Sequence, residues 1–225
     1  MKISNVPYGG APIDLGHMPL KPQEMLAYLY LPVKMAQPLE GGDNFGVRIP
    51  KRLQFLKEMV WASIEDAEKT LDVQKHYVYL TVKTLWVEGG FSGNRPGWHA
   101  DGYGSEGDLN YIWADMNPTQ FAVQPFSGIP DDDFASMQAM EAQIEPERIV
   151  VYADSHLLRL DESIVHRVNP DIRSGMRTFV KISISRHRFN LKYNSHNHLF
   201  DYAWQMFDRD AVRNMDNKDH VKIAA

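Results

Sequence analysis

The chain has 225 residues, of which 44% are hydrophobic and 24% charged, and its formal charge is −5. This is the make-up of a globular, single-domain protein; it argues against intrinsic disorder and against nucleic acid as the default partner, although a local basic groove is not excluded. There is no cysteine, so disulfides, thiolate metal sites and cysteine nucleophiles are ruled out, and a metal would have to be held by His, Asp or Glu.

The opening run, MKISNVPYGGAPIDLGHMPL, lacks the apolar core of a signal peptide, and no apolar stretch reaches the roughly 18 residues of a membrane helix. A soluble, cytoplasmic protein with no membrane partner is the expectation. The Pro- and Gly-rich start, with the apolar segment EMLAYLYLPVKM, reads as an irregular arm. Over 50–71, Leu53, Leu56, Val60, Ile64 and Ala67 fall on one stripe, which predicts an amphipathic helix. HYVYLTVKTLWVE is rich in β-branched and aromatic residues and predicts a strand. After the loop GGFSGNRPG and the segment WHADGYG, the runs DLNYIWADM and PTQFAVQPF predict further strands. The acidic turn PDDDF leads into a short helix, ASMQAMEAQI. RIVVYADSHLLRL, SIVHRV and MRTFVKISIS predict the remaining strands, and HLFDYAWQMFDRDAV a C-terminal helix before a polar tail. Closely spaced short strands with helices at both ends predict a β-rich α+β fold of the sandwich or barrel kind.

His99-Ala100-Asp101 carries the first chemical signal. In an extended segment, residues two apart share a face, so both side chains can grip one ion. Gly97, Gly102 and Pro96 disfavour a helix here. His166, in the strand SIVHRV, is the candidate third ligand. Two imidazoles and one carboxylate form a facial triad with open positions, the pattern of non-haem Fe(II) and dioxygen chemistry. Arg177 lies in the next strand, across the turn NPDIRSGM. A buried guanidinium there needs an anion, and its fork suits a carboxylate in two-point contact.

HAD followed by VHRVNPDIRSGMRTF resembles the Fe(II)/2-oxoglutarate-dependent oxygenase superfamily: His-x-Asp, a distal His, then an Arg. The resemblance covers residues 76–186. It implies a double-stranded β-helix (jelly-roll, cupin-like) core, placed over 76–190; the residues outside it read as an arm and supporting helix over 1–75 and a helix and tail over 191–225, in one domain. It implies His99, Asp101 and His166 as iron ligands and catalytic residues, and Arg177 as the partner of the far carboxylate of 2-oxoglutarate. The implied reaction uses Fe(II), 2-oxoglutarate and O2 and couples oxidative decarboxylation to oxidation, typically hydroxylation, of an unknown prime substrate: a small molecule, an amino-acid side chain or a nucleobase. Many members carry a hydroxyl two residues after the Arg, where this chain has Phe179. The longer Arg/Asn/Thr/Arg signature of the nucleic-acid demethylases is missing, and Asp101 argues against a halogenase.

By strand parity, Thr84 and Trp86 are expected to line the co-substrate pocket; by nearness, Arg95, Trp98 and Tyr103 are expected to touch the prime substrate. GYGSEG at 102–107 follows no apolar strand and precedes a strand, so it reads as a loop over the site and not as a dinucleotide-binding turn. His196 and His198 lack a carboxylate at a suitable spacing, His156 reads as structural, and SRHRFNLKY reads as a solvated strand end. Two other readings stay open. One is a cupin-like metalloenzyme with non-redox chemistry. The other is a metal-free jelly-roll binding or structural protein, in which His99 bonds Asp101 at the surface, His166 is a core histidine and Arg177 pairs with Asp154 or Asp161.

Overall fold

The computed structural model describes residues 2–20, 24–38, 40, 46–102 and 107–208. Its elements are β1 (Ile13–His17), β2 (Leu26–Lys34), α1 (Lys57–Ala67), β3 (Tyr77–Val87), β4 (Leu109–Ala114), β5 (Gln120–Ala122), α2 (Asp133–Glu141), β6 (Ile149–Val151), β7 (His156–Leu160), β8 (His166–Arg167) and β9 (Gly175–Ser185). Among the described residues the strands form two antiparallel sheets. The larger has the order β1-β7-β4-β9-β3-β2 and the smaller β6-β5-β8. No helix among these residues is long and apolar enough to cross a membrane.

From β3 onward the chain alternates between the sheets. It leaves β3 in the large sheet, and His99 bridges β8 in the small one. It returns for β4, crosses for β5 and β6, returns for β7, crosses for β8 and returns for β9. Ile112, Leu158 and Leu160 of the large sheet pack with Phe121 and Ile164, so the small sheet covers the inner face of the large one. The predicted strand RIVVYADSHLLRL is therefore two strands in two sheets. The break falls at Ser155, whose φ of 65° turns the chain out of extended geometry.

The outer face of the large sheet carries the main core. Val78, Leu80 and Val82 of β3 and Val180, Ile182 and Ile184 of β9 point to it, against Leu53, Leu56, Val60, Ile64 and Ala67. The predicted stripe is thus buried, although the first part, Lys51–Leu56, is a 3-10 turn and the α-helix proper begins at Lys57. Asp66, buried at the inner side of α1, accepts from Tyr111 of β4 at 3.0 Å and from Arg159 of β7 at 2.9 Å, and so ties the helix to two strands. The acidic turn before α2 acts as a cap: Asp132 accepts from the backbone N–H groups of Phe134 and Ala135.

Both ends of the chain depart from expectation. The N-terminal segment is no irregular arm, since β1 and β2 form the two edges of the large sheet. The expected C-terminal helix is not helical over 198–208, and residues 209–212 lie outside the described residues. Phe200, Tyr202 and Trp204 pack inward while the residues between them are exposed, a period of two. They rest on Tyr77, Tyr79 and Phe189, and a parallel bridge joins Leu191 to Phe207. The alternating aromatics of FDYAW give more burial to an extended strap than a helix would.

Leu56 is fully buried, and Leu56→Ala is expected to destabilise the protein by about 2–5 kcal/mol in urea unfolding, against less than about 0.5 kcal/mol for a surface change such as Glu58→Gln. Burial opposes the charge of Asp66, but Lys69, Tyr111 and Arg159 lower its pKa below the usual carboxylate value. A depressed pKa contributes stability above the unfolded-state value and loses it as pH falls. The stability gap between wild type and Asp66→Asn is therefore expected to be widest near neutral pH and to close below about pH 4.

Candidate metal centre

Two backbone hydrogen bonds set the site. His99 N–H donates to the carbonyl of His166 at 3.0 Å, and His166 N–H donates to that of His99 at 2.8 Å. The pairing fixes both α-carbons and the sides on which their rings emerge; the ring centroids are 4.5 Å apart. Gly97 and Gly102, with φ of 84° and 104°, turn the chain into and out of this short extended segment. Within it, His99 and Asp101 face a cavity, whereas Trp98 and Ala100 face the opposite way, into a cluster with Tyr8, Ala122, Met140 and Val165.

Each imidazole is oriented by its own backbone. Nδ1–H of His99 donates to the Gly97 carbonyl at 2.9 Å, and Nδ1–H of His166 to that of Ile164 at 3.0 Å. A carbonyl only accepts, so the proton is on Nδ1 and each neutral ring keeps its lone pair on Nε2, as a metal ligand requires. Burial lowers the pKa of both rings, that of His166 to about 4, so they are neutral at pH 7. Burial works against the charge of Asp101, but the Lys181 ammonium and the two imidazoles hold its carboxyl well below the usual range. Asp101 Oδ2 lies 3.9 Å from His166 Nε2 and 2.6 Å from Lys181 Nζ.

One ligand atom from each of His99, Asp101 and His166 lies within 4.8 Å of the other two, and no other group of three His, Asp or Glu among the described residues meets this condition. Two neutral nitrogen donors and one anionic oxygen fit a divalent metal ion. His196 stacks on Tyr202 of the C-terminal strap, and the His198 ring lies tilted against that of His196. His156 bonds Asp14 at 2.9 Å where β1 meets β7.

The triad lies in the wall of a cavity of about 800 Å³ between the sheets. From β3 and β9, Thr81, Lys83, Leu85, Phe179 and Lys181 line it, brought together by the pairings of Thr81 with Lys181 and of Lys83 with Phe179. Thr84 and Trp86 have the opposite parity and do not line it. Thr84 is buried against Thr178, hydroxyl to hydroxyl at 3.0 Å, and Trp86 is 53% exposed on the outer face. Sequence reasoning missed Lys83 and Lys181, whose signal was available: each is a charged residue inside an otherwise apolar strand.

The remaining candidates are scattered. Arg177 is 3% exposed and lies with Lys83, Asn94 and Phe179 at a closed crevice beside the main cavity that has no room for a water molecule. Its Nε donates to the Met116 carbonyl at 2.9 Å and its Nη2 to that of Asn117 at 3.3 Å. With the Asn94 amide turned to satisfy both its neighbours, its oxygen accepts from Arg177 Nη1 at 3.0 Å. Asp154 pairs with Arg173 instead, and Asp161 caps its own turn through Ser163. Burial lowers the Arg177 pKa to about 10, and the group stays charged at pH 7. Arg95 lines the cavity but is clamped in two-point contact by Asp133 at 3.0 and 3.1 Å. Trp98 is fully buried away from the cavity, its Nε1 without a hydrogen-bond partner among the described residues and Arg167 over its ring. Tyr103 and residues 104–106 of GYGSEG lie outside the described residues.

Comparison with protein-family models, with characterised proteins and with solved structures found no match.

Mn(II) is expected to raise the melting temperature of metal-stripped protein, since a ligand of the folded state stabilises it by about 2.7 kcal/mol at a hundredfold excess over its Kd. Asp101→Ala and His166→Ala should abolish that shift, and His156→Ala and His198→Ala should retain it; a shift that survives loss of His166 would move the site elsewhere.

Proposed function

We propose that this chain is an Fe(II)- and 2-oxoglutarate-dependent oxygenase built on a double-stranded β-helix. One observation carries the reading: His99, Asp101 and His166 turn their ligand atoms towards one point in the wall of a large cavity, and a buried Arg177 stands beside that cavity. Strands that wind alternately between two facing sheets support the β-helix.

The chemistry that iron, 2-oxoglutarate and O2 supply together is oxidative decarboxylation to succinate and carbon dioxide, coupled to oxidation of a second substrate. The chain's own share is placement. His99 and His166 offer Nε2 lone pairs held by the Gly97 and Ile164 carbonyls, so that little ring motion is lost on binding. Asp101 supplies the negative charge. Three ligands from the chain leave further coordination positions for the co-substrate and oxygen. Arg177 and Lys83 meet in a crevice beside the cavity that has no room for even a water molecule as it stands, so the far carboxylate of a dicarboxylic acid would reach this positive end only with movement of the side chains around it. The guanidinium has more N–H donors than its bonds to Met116, Asn117 and Asn94 use. Phe179, where relatives of this kind carry a hydroxyl, lies with its ring 5.3 Å from the guanidinium carbon and gives that end an apolar wall.

The prime substrate shares the cavity and is a small molecule, an amino-acid side chain or a nucleobase. The competing reading is a cupin-like metalloenzyme with non-redox chemistry. What favours it is that carbonyl and amide oxygens already hold Arg177.

With Fe(II) and ascorbate, the protein is expected to turn 2-oxoglutarate into succinate slowly even without prime substrate. Arg177→Met should cost about 2 kcal/mol or more of 2-oxoglutarate binding, read as the loss of the second thermal shift on adding 2-oxoglutarate to Mn(II)-loaded protein. A retained Mn(II) shift shows that the variant is folded. Unchanged 2-oxoglutarate binding in Arg177→Met, with no succinate formed by wild type, would favour the non-redox enzyme.

A further inference from the structure

The cavity wall holds a charged group that a two-imidazole, one-carboxylate site does not require. Lys181 Nζ donates to Asp101 Oδ2 at 2.6 Å, and its side chain is only 15% exposed. That oxygen is also the one nearest His166 Nε2. A cation gripped by the triad therefore shares its only carboxylate with a lysine ammonium. Among the described residues lining the cavity, Asp101 is the one carboxylate, whereas Lys83, Arg95 and Lys181 are cationic. Of these, Arg95 is matched by Asp133 and Lys83 donates to the Gly93 carbonyl at 3.1 Å, whereas Lys181 is the cation in contact with Asp101. Asp108 favours the ammonium from farther off, but Asp101 is the carboxylate in contact with it; one contacting carboxylate cannot compensate a divalent ion and a buried ammonium together, and the surplus positive charge is costly in a desolvated wall.

We propose that Lys181 makes binding of a divalent cation and binding of an acid group at this centre mutually dependent. Without a cation, the ammonium neutralises Asp101. With one, the ammonium is left beside the bound charge and receives an anion, a carboxylate or a group of like charge, from the molecule that occupies the cavity. Coupling of this kind is reciprocal: whatever the anion adds to cation affinity, the cation adds to anion affinity. The inference rests on the triad being a metal site and assigns Lys181 a positioning role within it. Backbone pairing sets the lysine on both sides, with Thr81 of β3 and Ile112 of β4 as its partners. Its charge is therefore delivered to one place on the wall.

The test is calorimetric titration of Mn(II) into the full chain, alone and with pyruvate. This probe carries an acid group but no far carboxylate, so it does not call on Arg177. Wild type is expected to bind Mn(II) about tenfold more tightly with pyruvate than without, within the ordinary range of coupling. Lys181→Met should bind Mn(II) alone about tenfold more tightly than wild type and show no pyruvate effect, whereas Lys181→Arg should keep the effect. If the Met variant fails to fold by circular dichroism, Lys181→Gln takes its place. A neutral variant that binds Mn(II) no more tightly than wild type, or that keeps the pyruvate effect, overturns the inference and leaves the metal site standing. No Mn(II) binding by any of the proteins overturns the metal site itself, and this inference with it.

Discussion

The reciprocal backbone bonds between His99 and His166 are the constraint on which the rest of the site depends. They join a short extended segment to a strand of two residues, β8. Neither piece is long enough to hold a register by itself. The register is fixed from outside, by β5 pairing with β8 on its far side and by Ala122 N–H donating to the Val165 carbonyl. A slip of one residue would turn His166 out of the cavity and Arg167 into it, since strand neighbours face opposite ways. The ligand geometry is thus a property of the small sheet, whereas stability comes mainly from the core on the outer face of the large one. That separation lets the wall of the cavity carry charge without breaking the main apolar cluster.

Charge in a buried wall has to be matched, and the two histidines and the aspartate solve this differently. The imidazoles avoid the problem: burial keeps them neutral, and their one N–H is spent on a carbonyl. Asp101 cannot avoid it and takes Lys181 as counter-charge, which in turn holds the lysine in its charged form against its own burial. Removing one member of such a pair leaves the other unmatched, which costs far more than the pair contributes when intact.

The parts of the molecule that the sequence makes legible are those where one periodicity is strong. The stripe from Leu53 to Ala67 reads as a helix face because its apolar positions repeat at helical spacing, and β3 and β9 read as strands from their β-branched and aromatic content. The triad is legible because His99 and Asp101 stand two apart between glycines. The same parity turns Trp98 away from the cavity, although nearness alone suggested substrate contact. Thr84 and Trp86 were placed by parity without a fixed reference. β3 is apolar on both faces, so its alternation does not say which face is inward; Lys83 does, and so does Lys181 across the pair with Thr81. Arg177 was legible as a buried cation, but its bonds to the Met116 and Asn117 carbonyls depend on a loop far away in the chain.

The C-terminal segment, read from sequence as a peripheral helix over 198–212, is an extended strap whose lead-in, Ser195 to Asn197, shapes the cavity wall. β2 is the outer edge of the large sheet, and it bulges at Tyr30, whose φ is 47°. The bulge brings Leu29 and Tyr30 to the cavity wall. Such a conformation in a bulky residue persists only where neighbours hold it. Here Ser195 bonds both backbone groups of Leu29, donating from N–H at 2.7 Å and accepting at its hydroxyl at 3.0 Å. Asn197 donates to the Pro32 carbonyl, Tyr30 N–H to the Thr81 hydroxyl, and Phe189 meets the Tyr30 ring edge-on. A helix over 198–212 could not lay Phe200, Tyr202 and Trp204 in one line along the aromatic face of β3. The extended strap does so, and the residues just ahead of it, Ser195 and Asn197, bond the open edge of the sheet and hold the bulge that forms one wall of the cavity.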